Sequence, residues 1–205
     1  MFIGAAIAIP LSFVAQLGPL THRMTLSGGL DSPARIVVTA AEILVTDPRS
    51  GVIRRFDASG NPLGAWIESG GTVGVAVHRD GRIFVSRRDA KVAVYDSTFM
   101  FLQFLGNGVV AFVQPTDLAV DFDSGLVYVV DSGADRVYAF DAAGAMVLMF
   151  GTRGSGFGQF KDPSAIALDA INPFVSGLGN NTPGVVGRVL VSGLVVVQVE
   201  MLNET

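Results

Sequence analysis

The chain contains no cysteine, and only two of its 205 residues are histidines, His22 and His78. The absence of cysteine excludes disulfide frameworks, thiolate metal sites, cysteine nucleophiles and covalent haem attachment. It is compatible with both a reducing and an oxidising compartment. The sequence also lacks a Gly-x-Ser-x-Gly motif, a phosphate-binding loop and a paired acid–base arrangement. The usual sequence signs of a hydrolase or a nucleotide-binding enzyme are therefore missing.

Charged residues are scarce as well, at 16% of the chain against a hydrophobic fraction of 50%. Two runs carry no charge: Met1–Thr21, which Pro10 and Pro19 interrupt, and Ser97–Thr116, which contains Gly106-Asn107-Gly108. Because turn formers or prolines interrupt both runs, we predict no integral membrane span.

The apolar start of the chain, residues 1–16, is similar to the hydrophobic core of a signal peptide, although no lysine or arginine precedes it. We predict export, with a periplasmic or extracellular location in a bacterium. The alternatives are a cytoplasmic protein, in which this segment is a first strand or helix of the fold, and a membrane anchor.

Short runs of strand-forming residues fill the stretch Gln114–Phe160. They are Leu118–Val120, Leu126–Val130, Arg136–Phe140 and Ala145–Phe150, and turn formers separate each from the next. Such short connections force neighbouring strands to run antiparallel, so the stretch is predicted to form a four-stranded meander. Both faces of this meander carry apolar side chains, which means that similar sheets must pack on either side.

The same pattern recurs along the chain. The second strand of the unit begins at Ile43, Ile83 and Val127, and the third ends in an aromatic residue followed by aspartate, as in Phe56-Asp57 and Tyr95-Asp96. A period of roughly 40–45 residues with four strands in each repeat is typical of propeller blades. We therefore predict an all-β propeller of four-stranded antiparallel blades.

Two segments carry a family resemblance: Pro115–Asp121 (PTDLAVD) recurs as Pro163–Asp169 (PSAIALD). Together with Tyr128–Asp131, Arg136–Phe140 and the glycine-rich loop Phe150–Phe160, these motifs resemble the NHL repeat of six-bladed β-propellers. The resemblance covers roughly residues 32–195. It implies the propeller fold, whereas members of the family range from RNA- and protein-binding platforms to metal-dependent lyases.

We divide the chain into an apolar N-terminal segment, residues 1–31, and NHL-type blades over 32–205, the fourth of which is degenerate. An insertion rich in glycine, proline and asparagine, Ile171–Gly187, interrupts this fourth repeat, and no fourth strand follows it. About three to four blades are thus present where the family closes six. Three interpretations remain open: a truncated segment, completion by a second copy or a partner, and a smaller closed fold.

The antiparallel order of the strands sorts the loops onto two faces. One face combines the turns between second and third strands with the connections between blades, and it collects both cations and acids. Its predicted cations are Arg49, Arg87, Arg88, Lys91, Arg136, Arg153 and Lys161. The opposite face is acidic, with Glu42, Asp57, Asp80, Asp96, Asp121, Asp123, Asp141 and Asp169 against mainly Arg79 and Arg82.

Arg87, Arg88 and Lys91 are the most distinctive group, because Arg87 stands where the other copies have a turn-forming aspartate, Asp47 or Asp131. The group could dock an acidic protein segment, or it could be a solvated loop whose arginine stems cover apolar surface. The sequence pI of about 5.0 argues against nucleic acid as a partner.

The strands predicted to be innermost are apolar, and they carry no residue type that binds zinc or calcium. They read Ile36–Val38, Val75–Val77, Leu118–Val120 and Ile166–Leu168. We therefore predict no metal, no cofactor and no catalytic residue. Asp121 and Asp123 could offer oxygen ligands to calcium, but Asp-x-Asp-Ser-Gly is also an ordinary turn.

The function predicted from these patterns is a non-enzymatic module for protein–protein interaction or assembly. The predicted binding residues are Arg49, Arg87, Arg88, Lys91 and Arg153. The predicted partner is a protein, with an acidic segment as the ligand, and self-association or a partner subunit could cover open blade faces. Part of a metal-dependent lyase or lactonase, and an RNA-binding propeller, are the alternatives.

Overall fold

The structure is a computed structural model that describes residues 24–26, 28–156, 158–168, 173–177 and 186–188. The predicted export segment, His22, Asp169 and most of the insertion after Ile171 lie outside the described residues, as does the chain beyond 188. The described part contains strands and turns and no helix, so it contains no helix able to cross a membrane.

Three four-stranded sheets follow one another along the chain. The first blade comprises β1 (Arg35–Val38), β2 (Ile43–Asp47), β3 (Val52–Phe56) and β4 (Pro62–Ile67). The second blade comprises β5 (Thr72–Val77), β6 (Ile83–Arg87), β7 (Val92–Tyr95) and β8 (Phe101–Phe104). The third blade comprises β9 (Pro115–Val120), β10 (Val127–Asp131), β11 (Arg136–Phe140) and β12 (Met146–Phe150). In each blade the strands pair in chain order and antiparallel, as the meander prediction requires.

A fourth, three-stranded sheet follows the third blade. The connection to it contains a short parallel pair, β13 (Thr152–Arg153) and β14 (Gln159–Phe160). The fourth blade then comprises β15 (Pro163–Leu168), β16 (Pro173–Gly177) and β17 (Val186–Arg188).

The two residues of the repeated aromatic–aspartate pair have different structural roles. The aromatic ring ends the third strand inside the core, where Phe56 and Phe140 are fully buried. The aspartate that follows caps the next turn: Asp141 accepts backbone N–H bonds from the residues two and four positions later. Asp57 and Asp96 accept the corresponding bonds in the first and second blades. The motif recurs because each blade needs the same turn.

The second strand of each complete blade is buried on both sides. In β10, Val127 and Val129 face the second blade, while Tyr128 and Val130 face the fourth. Burying an aliphatic side chain of this size contributes about 1.5–3 kcal/mol. The packing between blades therefore supplies much of the stability, as the apolar character of both sheet faces predicted.

The outward face of the first blade has no neighbouring sheet among the described residues. Leu26 and Leu30 cover part of it near Phe56, whereas Ile36 and Val38 remain exposed. Arg35 instead reaches across the axis of the blades: its Nη2 donates to the Ser164 carbonyl at 2.8 Å, and its Nε lies 2.9 Å from Asp117 Oδ1. The described blades therefore form an arc around one axis, which confirms the prediction of an apparently incomplete β-propeller.

Candidate binding face

Hydrogen bonds join the turns between second and third strands to the connections between blades at one end of the molecule. Arg88 N donates to the Gly71 carbonyl at 3.0 Å, and Ser132 N donates to the Gln114 carbonyl at 2.9 Å. We call this end the loop face; it is formed by turns 48–51, 88–91 and 132–135 and connections 68–71, 105–114 and 151–162.

Several acids of the loop face point into the protein. Asp131 is fully buried, and its two carboxylate oxygens accept the backbone N–H groups of Val113 and Gln114, each at 2.8 Å. Asp47 holds Asp31 and Ser32 in the same way in the first blade. Burial raises the pKa of Asp47, but these backbone bonds and those from Ser50 outweigh it and leave the pKa below its ordinary value.

Arg87 takes this position in the second blade with the opposite charge. Its guanidinium makes two bonds to the Asp89 carboxylate, at 2.9 and 2.8 Å, and Nη1 lies 3.0 Å from Glu68 Oε1. Glu68, itself buried, accepts the Gly70 backbone N–H at 3.1 Å and a hydrogen bond from the Tyr95 hydroxyl. A glutamate from the preceding connection thus supplies the carboxylate that an aspartate supplies in the other blades.

The other predicted binding residues are exposed. The side chains of Arg49 and Arg153 are 74% and 70% exposed, and each has an acid nearby, Asp31 at 3.7 Å and Asp135 at 3.2 Å. Arg88 has no side-chain ion pair with another described residue.

Lys91 is also exposed, and its Nζ lies 4.7 Å above the centre of the Phe104 ring. No carboxylate in the described part of the chain pairs with it.

The structure brings Arg87, Arg88 and Lys91 together in one turn and leaves Arg153 on the connection after the third blade. A cavity of about 470 Å³ lies beside Arg88. Pro48, Val73, Arg87 and residues 113–116 complete its wall, so it adjoins the turn that carries Arg49.

This geometry changes the electrostatic character predicted for the loop face. Asp47, Glu68 and Asp131 are buried and bind backbone N–H groups, whereas Arg49, Arg88 and Lys91 meet solvent. The exposed cations of the loop face outnumber its exposed acids, Asp89 and Asp162, so it presents more positive than negative charge to a partner; these cations are Arg49, Arg88, Lys91, Arg153 and Lys161. The sequence could not show this, because burial of an acid depends on which distant amide groups reach it.

The acids of the opposite face act mainly as turn caps. Asp121 Oδ1 accepts the Asp123 backbone N–H at 2.9 Å, and its Oδ2 is bonded to the Ser124 hydroxyl. No group of three or more His, Asp or Glu residues in the described ranges is arranged to hold a metal ion.

Comparison with known proteins supports the fold. The chain matches a streptogramin B lyase structure with a TM-score of 0.60 and 16% identity, over 78% of this chain and 51% of that chain. The WD40 propeller domain of Doa1 gives a TM-score of 0.60 and 13% identity, over 76% and 51%. The RRP9 WD40 repeats give 0.59 and 17%, over 74% and 47%.

The chain spans about half the length of these solved structures. No family model matches it, so the resemblance to NHL repeats stays a prediction. At this level of identity the similarity shows the fold alone: the chain is built as a β-propeller.

Proposed function

We propose that this protein is a non-enzymatic propeller module of the NHL type that binds an acidic segment of a partner protein through its loop face. The observation that carries the proposal is the pair Arg88 and Lys91, both exposed and both without a carboxylate partner in the described structure. Arg88 also lines the 470 Å³ cavity. Exposed positive charge on the loop face attracts a partner of opposite charge, which speeds association and helps to select that partner.

Arg87 acts differently from its neighbours in this proposal. Its bonds to Asp89 and Glu68 fix the turn at the end of β6, and the exposed side chain of Arg88 follows directly. A fixed backbone lowers the entropic cost of binding, because fewer groups must be ordered when the partner arrives. Arg87 therefore positions turn 88–91, and Arg88 and Lys91 contact the ligand.

The experiment is an anisotropy titration with a fluorescein-labelled octaglutamate peptide at about 50 mM salt, where exposed charges are weakly screened. Octaglutamine with the same label is the control for contacts other than charge. We expect saturable binding of octaglutamate only, weakened at least tenfold in the double variant R88E/K91E, because two attractive charges become repulsive.

The matched control variant is R79E/R82E, which makes the same change of net charge on the opposite face. It should bind octaglutamate with nearly unchanged affinity. Equal loss in both double variants would mean that only net charge matters, and would contradict a site on the loop face.

We keep a metal-dependent lyase as a second candidate, since the chain shares its fold with a streptogramin B lyase structure. Metal analysis of the purified protein and incubation with streptogramin B, with and without a chelator, test it. Stoichiometric zinc or calcium together with chelator-sensitive loss of the antibiotic would replace the binding-module proposal.

A further inference from the structure

The cavity of about 470 Å³ on the loop face lies where the first three blades meet. Pro48 in the turn after β2, Val73 in β5 and Pro115 in β9 all contribute to its wall. The volume falls within the range of about 300–1,000 Å³ that is usual for ligand sites. The cavity is thus large enough to admit a bulky side chain of a partner segment.

Apolar side chains of the wall are in contact with water. Val113 is 60% exposed, and Pro48 and Val73 are half-buried. Free energy falls when an apolar group displaces water from a concave apolar surface. The wall therefore favours an apolar occupant.

The polar groups of the wall do not require a partner from a ligand. The guanidinium of Arg87 is bonded to Asp89 and Glu68, and the Thr116 hydroxyl donates to a main-chain carbonyl of β10 at 3.4 Å. The side chain of Gln114 is exposed, so water satisfies its amide. An occupant without hydrogen-bonding groups therefore leaves no buried polar group of the wall unpaired.

The part of the wall that carries Val113 is fixed before a ligand arrives. The backbone N–H groups of Val113 and Gln114 donate to the two carboxylate oxygens of Asp131, and Ser132 N donates to the Gln114 carbonyl. Phe112, the preceding residue, is buried in the core between the second and third blades. A wall that is already ordered lowers the entropic cost of binding.

Exposed cations adjoin the cavity from two blades. Arg88 lines it, and the aliphatic stem of this arginine lies beside Gly71, where a Cβ would stand 3.2 Å from Arg88 Cδ. Arg49 directly follows Pro48 and is 74% exposed, with Asp31 at 3.7 Å. An apolar side chain in the cavity would therefore have positive charge close to it on the first and second blades.

We propose that the acidic segment bound by the loop face carries one large apolar side chain, such as phenylalanine, which enters this cavity while acids on either side of it pair with Arg88 and Arg49. This inference rests on the proposed function and specifies its ligand. The charges attract the segment, and the apolar anchor fixes its register, because a side chain buried in a pocket supplies a large share of the binding energy.

The test is an anisotropy titration with three fluorescein-labelled peptides: octaglutamate, and two octapeptides in which one central glutamate is replaced by phenylalanine or by glutamine. The last two have the same charge, so their comparison isolates the side chain. We expect the phenylalanine peptide to bind about tenfold more tightly than the glutamine peptide, the gain from partial burial of one aromatic ring.

Val113→Gln makes the wall polar without a change of charge. It should reduce the advantage of phenylalanine to less than about threefold and leave the affinity for octaglutamate within about twofold of the wild type. Val109→Gln is the matched control, since Val109 is a 71% exposed valine of the same connection, 105–114, and does not line the cavity. This variant should keep the full advantage.

NMR of the wild-type protein with labelled valine methyl groups locates the ring without relying on a variant. The phenylalanine peptide should give nuclear Overhauser contacts from its ring to the methyl groups of Val113 and Val73, and none to Val109. Contacts confined to valines outside the cavity would overturn the proposed anchor.

The titrations separate failure of this inference from failure of the proposed function. If octaglutamate does not bind the wild type, the proposed function is wrong and the anchor is wrong with it. If octaglutamate binds but phenylalanine gives no gain, or if Val113→Gln and Val109→Gln reduce the gain equally, the anchor alone is refuted.

Discussion

The guanidinium of Arg87 occupies the space where a side chain on Gly70 would begin. A Cβ at Gly70 would stand 1.9 Å from Arg87 Nε, closer than any van der Waals contact allows. Glycine at this position and arginine at the end of β6 therefore depend on each other.

Gly70→Ala should lower the free energy of unfolding by about 1–3 kcal/mol, the usual cost of forcing extra volume into a packed site. The same change in an Arg87→Ala background should cost less than about 0.5 kcal/mol, because the clash is then absent. Urea unfolding of the four proteins in this cycle measures the coupling. If the two costs are equal, the alanine acts through the backbone and the proposed clash is wrong.

Arg87→Asp restores the residue type found at Asp47 and Asp131, yet it should destabilise the protein. Buried Glu68 would lose its cation and face a second carboxylate, which costs about 3–5 kcal/mol. Glu68→Gln combined with Arg87→Asp should recover a large part of the loss, since the repulsion disappears. Thermal or urea unfolding of the single and double variants checks this, and a fully stable Arg87→Asp protein would contradict it.

Asp117 makes the stability of the fold depend on pH in the opposite direction to the turn aspartates. Burial raises its pKa above the ordinary 3.8, despite the Ile166 amide and Arg35. Between pH 3.8 and the raised pKa, the folded state binds more protons than the unfolded state. Acidification through this range therefore removes the free-energy cost of burying an ionised Asp117 carboxylate. Relative to Asp117→Asn, the wild type should therefore gain stability as pH falls through this window.

Asp96→Asn is the matched control, with the opposite sign. Hydrogen bonds from the Thr98 hydroxyl and then the Met100 amide lower the pKa of Asp96 below 3.8. Its contribution is present above pH 3.8 and is lost as pH falls through the lowered pKa. Urea unfolding between about pH 3 and pH 7 compares the two variants with the wild type, and parallel curves for all three would refute the assignments.

The strands and their order could be predicted from the sequence because both depend on local patterns. Arg136–Phe140 is observed as predicted, and Leu126–Val130 is displaced by one residue, to Val127–Asp131. Alternation of apolar residues and short turns specifies these elements within a few positions.

Contacts between distant segments could not be predicted. The burial of Arg87 depends on Glu68 in the preceding connection, and Arg35 meets a carbonyl 129 residues later in the chain. No local pattern shows such partners.

Blades of similar shape can pack in the wrong order during folding, or exchange with blades of another molecule. The carboxylate of Glu68, in the connection between the first and second blades, binds the guanidinium of Arg87. The other complete blades have an aspartate at the position of Arg87. A blade with aspartate at the position of Arg87 would repel Glu68. The positive charge of Arg87 therefore favours pairing of the first blade with the second and disfavours pairing with the wrong blade.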